Sequence, residues 1–167
     1  MFTVNIVLLE PEIPHNTGAI GRTCHVTGSV LHLIRPLGFS VDEKAVRRSG
    51  LDYWKELDVR YYDNFTHFLQ SAAPARLYMA TTKARRAYTD VTYAPDDFIM
   101  FGRESAGIPE EILLQYPDTA IRIPMLPDRR SLNLSVSAGI LLYEALRQTG
   151  FAGLEGTGRL HRHDWRE

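Results

Sequence analysis

Apolar and polar positions fall along this chain in blocks whose lengths suit alternating strands and helices. TVNIVLL (3–9), VLHLI (30–34), RLYMA (76–80) and FIMF (98–101) are short and apolar, with few polar interruptions. Runs of that kind predict strands buried on both faces of a sheet. VRYY (59–62) and AIRI (120–123) predict two further strands. Between them lie helical stretches. NTGAIGRTCHVTG (16–28) has Asn16 at a capping position and Gly28 where a helix would stop. DEKAVRRSG (42–50) places acids first and bases last, and NFTHFLQSA (64–72) opens on Asn64. PEEILLQY (109–116) begins with Pro109, and 133–149 is the longest apolar helix, ended by Gly150. Strand and helix alternate throughout, which predicts an α/β fold with a parallel sheet and helices on both faces. The expected domain is 1–152, with a Gly-rich and then charged tail at 153–167.

Composition narrows the class. With 44% hydrophobic and 23% charged residues the chain reads as one soluble domain. A net charge of −1 argues against a general nucleic-acid coat protein but leaves room for a local basic patch. Cys24 is the single cysteine, so no internal disulfide and no Cys-based zinc site can form. The N-terminal stretch MFTVNIVLLEPE reads as a strand, not a signal peptide, and no apolar run would span a bilayer. The expected setting is the reducing cytoplasm.

Ligand sites in such sheets lie at the carboxyl ends of the strands. Here the first strand runs into EPEIPHNTG, with no GxGxxG behind it and no GxxxxGK[ST] anywhere, so neither usual phosphate cradle is present. Three strand-end stretches remain: PHNTGAIGR (14–22), FGRESAGIP (101–109) and IPMLPDRRSLNLS (123–135). Asn16 and Arg22 could be a cap and a solvated cation. Yet Gly18 and Gly21 inside the same helix each cost about 1 kcal/mol relative to Ala, which suits a close approach there. Glu104, between Gly102 and Gly107, suits either a turn before a helix or a ligand loop. In the third stretch Pro124 and Pro127 bar regular structure, so exposed backbone groups need partners that a hydrogen-bonding ligand such as an adenine could supply. Ser131 or Asn133 could cap the last helix, and Ser137, Ala138 and Gly139 form a small face on it.

The histidines show no metal-ligand spacing, and no metal is expected. Basic pairs recur at Arg47/Arg48, Arg85/Arg86 and Arg129/Arg130. Each could be a solvated face, or together they could touch phosphates. Tyr53, Trp54, Tyr61 and Tyr62 near the first pair could stack on unpaired bases.

The ordered set NTGAIGR, FGRESAGI and IPMLPDRRSLNLSVSAGILLYEA resembles the three motifs of the SPOUT methyltransferases. The resemblance spans nearly the whole chain and is nearest to the short tRNA 2′-O-ribose methyltransferases that act on a wobble cytidine or modified uridine. It implies a fold whose C-terminal segment forms a deep trefoil knot, an exception to the rule that chains do not thread loops. It implies S-adenosyl-L-methionine as cofactor, with S-adenosyl-L-homocysteine as product, held by Ala80, Gly102, Ile123, Met125, Ser131 and Leu132. It implies a homodimer, with the first and last helices at the interface and each site completed by the partner chain.

The reaction implied is methyl transfer to a ribose 2′-hydroxyl in the tRNA anticodon loop. Arg22 would serve the step at which that hydroxyl loses its proton, with Asn16, Glu104, Ser131 and Asn133 positioning ribose, phosphate and cofactor. A guanidinium is effectively always protonated, so orienting phosphate and stabilising the oxyanion stand beside the base role for Arg22. Arg47, Arg48, Arg129 and Arg130 are the expected RNA contacts. Arg103 stands where a Pro is common in the family, and His15 where a less basic residue is expected. The alternatives are methylation of another tRNA position or of ribosomal RNA, a non-catalytic RNA-binding protein, and an unknotted α/β enzyme with another ligand.

Overall fold

The computed structural model describes residues 3–41 and 52–165. The helix expected over 42–50 and the pair Arg47/Arg48 lie outside the described residues. Six strands form one sheet: β1 (Asn5–Leu9), β2 (Val30–Ile34), β3 (Val59–Tyr62), β4 (Leu77–Ala80), β5 (Phe98–Phe101) and β6 (Ala120–Ile121). Their order is β3-β2-β1-β5-β4-β6, and every pairing is parallel. Among the described residues four helices accompany them: α1 (Pro14–Thr27), α2 (Phe65–Ala72), α3 (Glu110–Leu113) and α4 (Leu134–Gln148). A 3₁₀ turn covers Asp52–Lys55.

The pleat divides the core. Ile6, Leu8, Leu31, Leu33, Ile99 and Phe101 face α1 and α4, where Ile20, Cys24, Ala138, Leu141, Leu142 and Leu146 are buried against them. Val7, Leu9, Ile34, Met79 and Met100 face the other way, onto Phe68 of α2 and Ile108, with Ile112 and Leu113 of α3 alongside. Both faces being covered is why β1, β2 and β5 read as apolar runs broken only by Asn5 and His32.

Several boundaries differ from the sequence expectation. α1 begins at Pro14, not after Asn16, because proline suits the first turn, where its missing N–H has no partner to lose. α3 is one turn long where 109–116 was expected to be helical. β6 holds two residues, Pro124 barring its continuation, although Arg122 still forms a parallel bridge with Ala87. α2 and its Asn64 cap, the left-handed Gly28 after α1, and α4 stand as expected.

Gly21 shows why α1 accepts glycine: a Cβ there would lie 2.8 Å from the Trp54 ring and 3.1 Å from Leu57. The tail beyond 153 is mostly exposed, though Leu154 packs on the core. Among the described residues no helix is long and apolar enough to cross a membrane.

Candidate active site

β1 and β5 are neighbours, yet the chain leaves them in opposite directions. From β1 it runs through α1 to β2; from β5 it runs through α3, on the other face, to β6. Such a switch point opens a crevice at the carboxyl ends of the strands. A cavity of about 670 Å³ lies at this edge, displaced toward β4 and β6. That volume suits a ligand of cofactor size. Its walls are residues 80–83, the loop 101–108 and the segment 121–134, with Ile13 and Asn16 from the start of α1.

All six residues expected to hold the cofactor line it: Ala80, Gly102, Ile123, Met125, Ser131 and Leu132. Asn16, Glu104, Asn133 and Arg130 line it too. The donor set fits a nucleoside-like group. Ile121, Ile123, Leu132 and Leu134 offer apolar surface, and Thr81, Thr82, Ser131 and Ser137 offer hydroxyls.

Three of these side chains form one hydrogen-bonded line. Glu104 accepts from the Glu12 backbone N–H at 2.8 Å, the Ile13 backbone N–H at 3.1 Å and the Asn16 amide at 3.2 Å. Its carboxylate therefore covers the start of α1, where N–H groups lack helical partners and negative charge is favoured. Asn16, 4% exposed, accepts in turn from the Asn133 amide at 3.1 Å. The Asn133 Oδ1 caps α4, accepting from Ser135 N–H at 2.9 Å and Val136 N–H at 3.3 Å. Asn16 is thus no cap. The cap on its helix comes from Glu104, 88 residues on, and Asn16 joins that cap to the cap of α4.

The loop behind Glu104 is tightly folded. Gly107 donates to the Arg103 carbonyl at 2.8 Å and has a φ of +69°, which favours glycine. A Cβ on Gly102 would sit 2.0 Å from the Gly107 carbonyl carbon and 2.2 Å from the Ile108 nitrogen. The close approach expected at Gly102 is therefore between two parts of this loop.

Arg22 is not brought to the cavity within this chain. Six helical residues separate it from Asn16, about 9 Å along the axis and about 120° around it. It lies exposed with its guanidinium 5.1 Å from the centre of the Tyr53 ring. Tyr53 is tied down by donating to the Gly18 carbonyl. Arg129 is exposed on the same loop as Arg130 but does not line the cavity.

Sequence reading missed Glu12 and Lys83, and noted Arg103 only as a departure from the family pattern. Lys83 lines the cavity and pairs with Glu110 at 2.9 Å; Arg103 lines it and pairs with Glu10. Their partners come from distant segments, so no local spacing marks them. The titratable lining groups are Lys83, Arg103, Glu104 and Arg130, and both oxygens of Glu104 are already engaged. The arrangement is built to hold and orient a ligand. Among the described residues no cluster of His, Cys, Asp or Glu could hold a metal ion.

The chain is 48% identical over 151 residues to the tRNA (cytidine(34)-2′-O)-methyltransferase of Escherichia coli K12, covering 90% of this chain and 96% of that protein. The enzyme of the same name from Aeromonas hydrophila is 48% identical over 151 residues, covering 90% and 97%. A solved structure concerned with 2-OH methylation of C/U34 on tRNA superposes with a TM-score of 0.82 at 39% identity, covering 90% of this chain and 98% of that one. An AdoMet-bound rRNA methyltransferase from Sinorhizobium meliloti superposes with a TM-score of 0.74 at 26% identity, covering 87% and 56%. Residues 3–143 match the SpoU rRNA Methylase family, and the chain belongs to that family.

Proposed function

We propose that the chain is an S-adenosyl-L-methionine-dependent methyltransferase acting on the ribose 2′-hydroxyl of the wobble nucleotide, cytidine or modified uridine, in the tRNA anticodon loop. The observation that carries this is the convergence of 80–83, 101–108 and 121–134 on one cavity that contains all six expected cofactor residues. Relatives at 48% identity over most of both chains bear that activity in their names. The bound cofactor supplies an electrophilic methyl group on a sulfonium.

The chain's own part is placement. Ala80, Gly102, Ile123, Met125 and Leu132 frame the cofactor, and Ser131 offers a hydroxyl beside it. The line Glu104–Asn16–Asn133 fixes the starts of α1 and α4, and with them two walls of the cavity. Holding acceptor and donor in line supplies much of the acceleration such a transfer needs.

Arg22 completes the site of a partner chain in a homodimer, orienting phosphate and stabilising the developing oxyanion. Its exposure and its distance from its own cavity support that reading. So do the apolar Val26 of α1 and Val136 and Tyr143 of α4, which stay about half exposed among the described residues. Arg129 and Arg130, with Arg47 and Arg48, contact the RNA backbone.

The C-terminal segment passes through the β4–β5 connection as a trefoil knot. Residues of that connection bond the segment at two places: Tyr88 N–H to the Arg122 carbonyl at 2.8 Å, and the Gln148 amide to the Val91 carbonyl at 3.0 Å. The setting is cytoplasmic, in keeping with a tRNA substrate.

The test is methyl transfer from labelled S-adenosyl-L-methionine to tRNA lacking wobble ribose methylation, followed by nucleoside analysis. Label in 2′-O-methylcytidine or a 2′-O-methyluridine, lost with Arg22→Ala, is expected. Label only in ribosomal RNA would overturn the substrate, and none in either RNA would overturn the activity. Mixed dimers of Arg22→Ala and a cavity variant should recover activity if Arg22 acts across the interface.

A further inference from the structure

We infer that Glu12 is a positioning residue that locks the 102–107 loop into the shape the cofactor cavity requires. This rests on the proposed function. It concerns a side chain outside the motif residues and outside the cavity wall.

Glu12 and Glu104 lie on opposite banks of the β1/β5 switch point and grip each other's loops. The Glu12 backbone N–H donates to Glu104 at 2.8 Å. In return the Glu12 carboxylate accepts from the Ser105 backbone N–H at 2.9 Å and from the Ser105 hydroxyl at 2.9 Å. Each acid therefore closes a bond across a gap of more than 90 residues in sequence. Glu10, two residues earlier, adds a third tie through Arg103. The crevice that a switch point would leave open is thus laced shut, and the cavity lies to one side of it, toward β4 and β6.

The Glu12 backbone has little freedom to follow a moving loop. A third connection, after β2, presses on it. Gly38 donates to the Pro11 carbonyl at 2.9 Å, and a Cβ on Gly38 would lie 2.7 Å from the Glu12 carbonyl oxygen. The side chain of Glu12 is thus held from behind while it holds Ser105 in front. Ser105 and Ala106 lie on the cavity wall, so their position sets part of its shape. Two accepted hydrogen bonds, one from backbone, also keep the Glu12 carboxyl below its ordinary range, consistent with an ionised clamp near neutral pH.

The 102–107 loop has few other means of holding this shape. Its internal bond from Gly107 to Arg103 closes the turn but does not fix the turn against β1. Glu104 fixes it at one point and Glu12 at the next residue. Removing Glu12 leaves the turn tied only at Glu104 and through the Glu10–Arg103 pair, with Ser105 and the wall beyond it free to shift, so the cofactor must spend binding energy ordering it.

The experiment measures S-adenosyl-L-homocysteine binding by calorimetry, with melting temperature and steady-state methyl transfer, for the full chain and for Glu12→Ala and Glu12→Gln. Glu12→Ala should weaken binding about tenfold or more and raise the KM for S-adenosyl-L-methionine to match, with kcat at saturation within about threefold of the original. Its melting temperature should shift by about 4 °C or less. Glu12→Gln keeps one acceptor oxygen and should fall between. Unchanged affinity in Glu12→Ala overturns the inference, whether or not the melting temperature drops, since a merely structural acid would move only the latter. A fall in kcat with unchanged KM overturns it as well, because the residue would then act on the reaction itself. Failure of the unsubstituted chain to bind S-adenosyl-L-homocysteine would overturn the proposed function and this inference together.

Discussion

Two polar chains of similar make-up cross this molecule at different depths. Glu104, Asn16 and Asn133 run along the carboxyl edge of the sheet, bonded to backbone at the starts of α1 and α4. Asn5, His32 and Tyr62 run across β1, β2 and β3 inside the core: the His32 ring bonds Asn5 at 2.9 Å and the Tyr62 hydroxyl at 2.8 Å. Phe68 and Phe98 pack around that ring. The first chain ends on backbone that borders a cavity, so each bond fixes part of a binding surface. The second satisfies buried groups and keeps three strands in register. Similar side chains give a site in one place and a seal in the other, according to where their bonds terminate.

The sharpest way to break the comparison is Glu104→Ala. Two backbone N–H groups and the Asn16 amide lose their acceptor, and methyl transfer should fall at least about a hundredfold in kcat/KM, or about 2.7 kcal/mol. His32→Leu should cost about 2–4 kcal/mol by urea unfolding, because the buried Asn5 Oδ1 and the Tyr62 hydroxyl lose their partner. The protein that remains folded should keep kcat/KM within about twofold.

The same residue gives a signature in pH. Burial, aided by the charge of Arg60, pushes the His32 pKa down to about 4. In the unfolded chain it titrates at about 6.5. The unfolded state therefore binds the extra proton, and stability should fall as pH drops from about 6.5 toward 4, by up to about 3 kcal/mol. His32→Leu should remove that slope, whereas Glu104→Ala should leave it. Asn133→Ala should cost about 1–2 kcal/mol through the lost cap on α4. Its effect on cofactor affinity should exceed that of His32→Leu. The smallest effect is expected at Cys24, whose thiol burial pushes up to about 12. The native chain should not react with a thiol reagent at pH 8, and the denaturant-unfolded chain should expose one thiol.

The sheet was legible in the sequence because strands covered on both faces leave short runs with few polar interruptions. The three loops were legible because each follows such a run and breaks into Gly, Pro and Asn. The bonds between the loops were not. Asn16 reads as a local cap, since nothing nearby announces that Glu104 will arrive at the start of its helix. His32 reads as one scattered histidine, since its partners are set by pairing with β1 and β3 and not by spacing. Glu12 looks like one more acid in EPEIP, because its partner Ser105 lies 93 residues away. Arg22 stood out only through the resemblance, since a lone arginine on a helix reads as a solvated cation, and its helical phase directs it to Tyr53, away from its own cavity. Short elements were overextended where a proline or a single turn cut them off, as at β6 and α3.

The cavity also has an order of appearance. Its walls come from the first helix, from the middle of the chain at 80–83 and 101–108, and from 121–134 near its end. During synthesis the sheet strands up to β5 exist before Ser131 or Asn133 has been made, and the line from Glu104 through Asn16 has nothing to join. A nascent chain has no place to hold a cofactor until α4 has begun and taken its cap from Asn133. Ligand binding is then a report of completed biogenesis: a chain arrested or clipped before residue 134 should bury much of its sheet and still bind nothing.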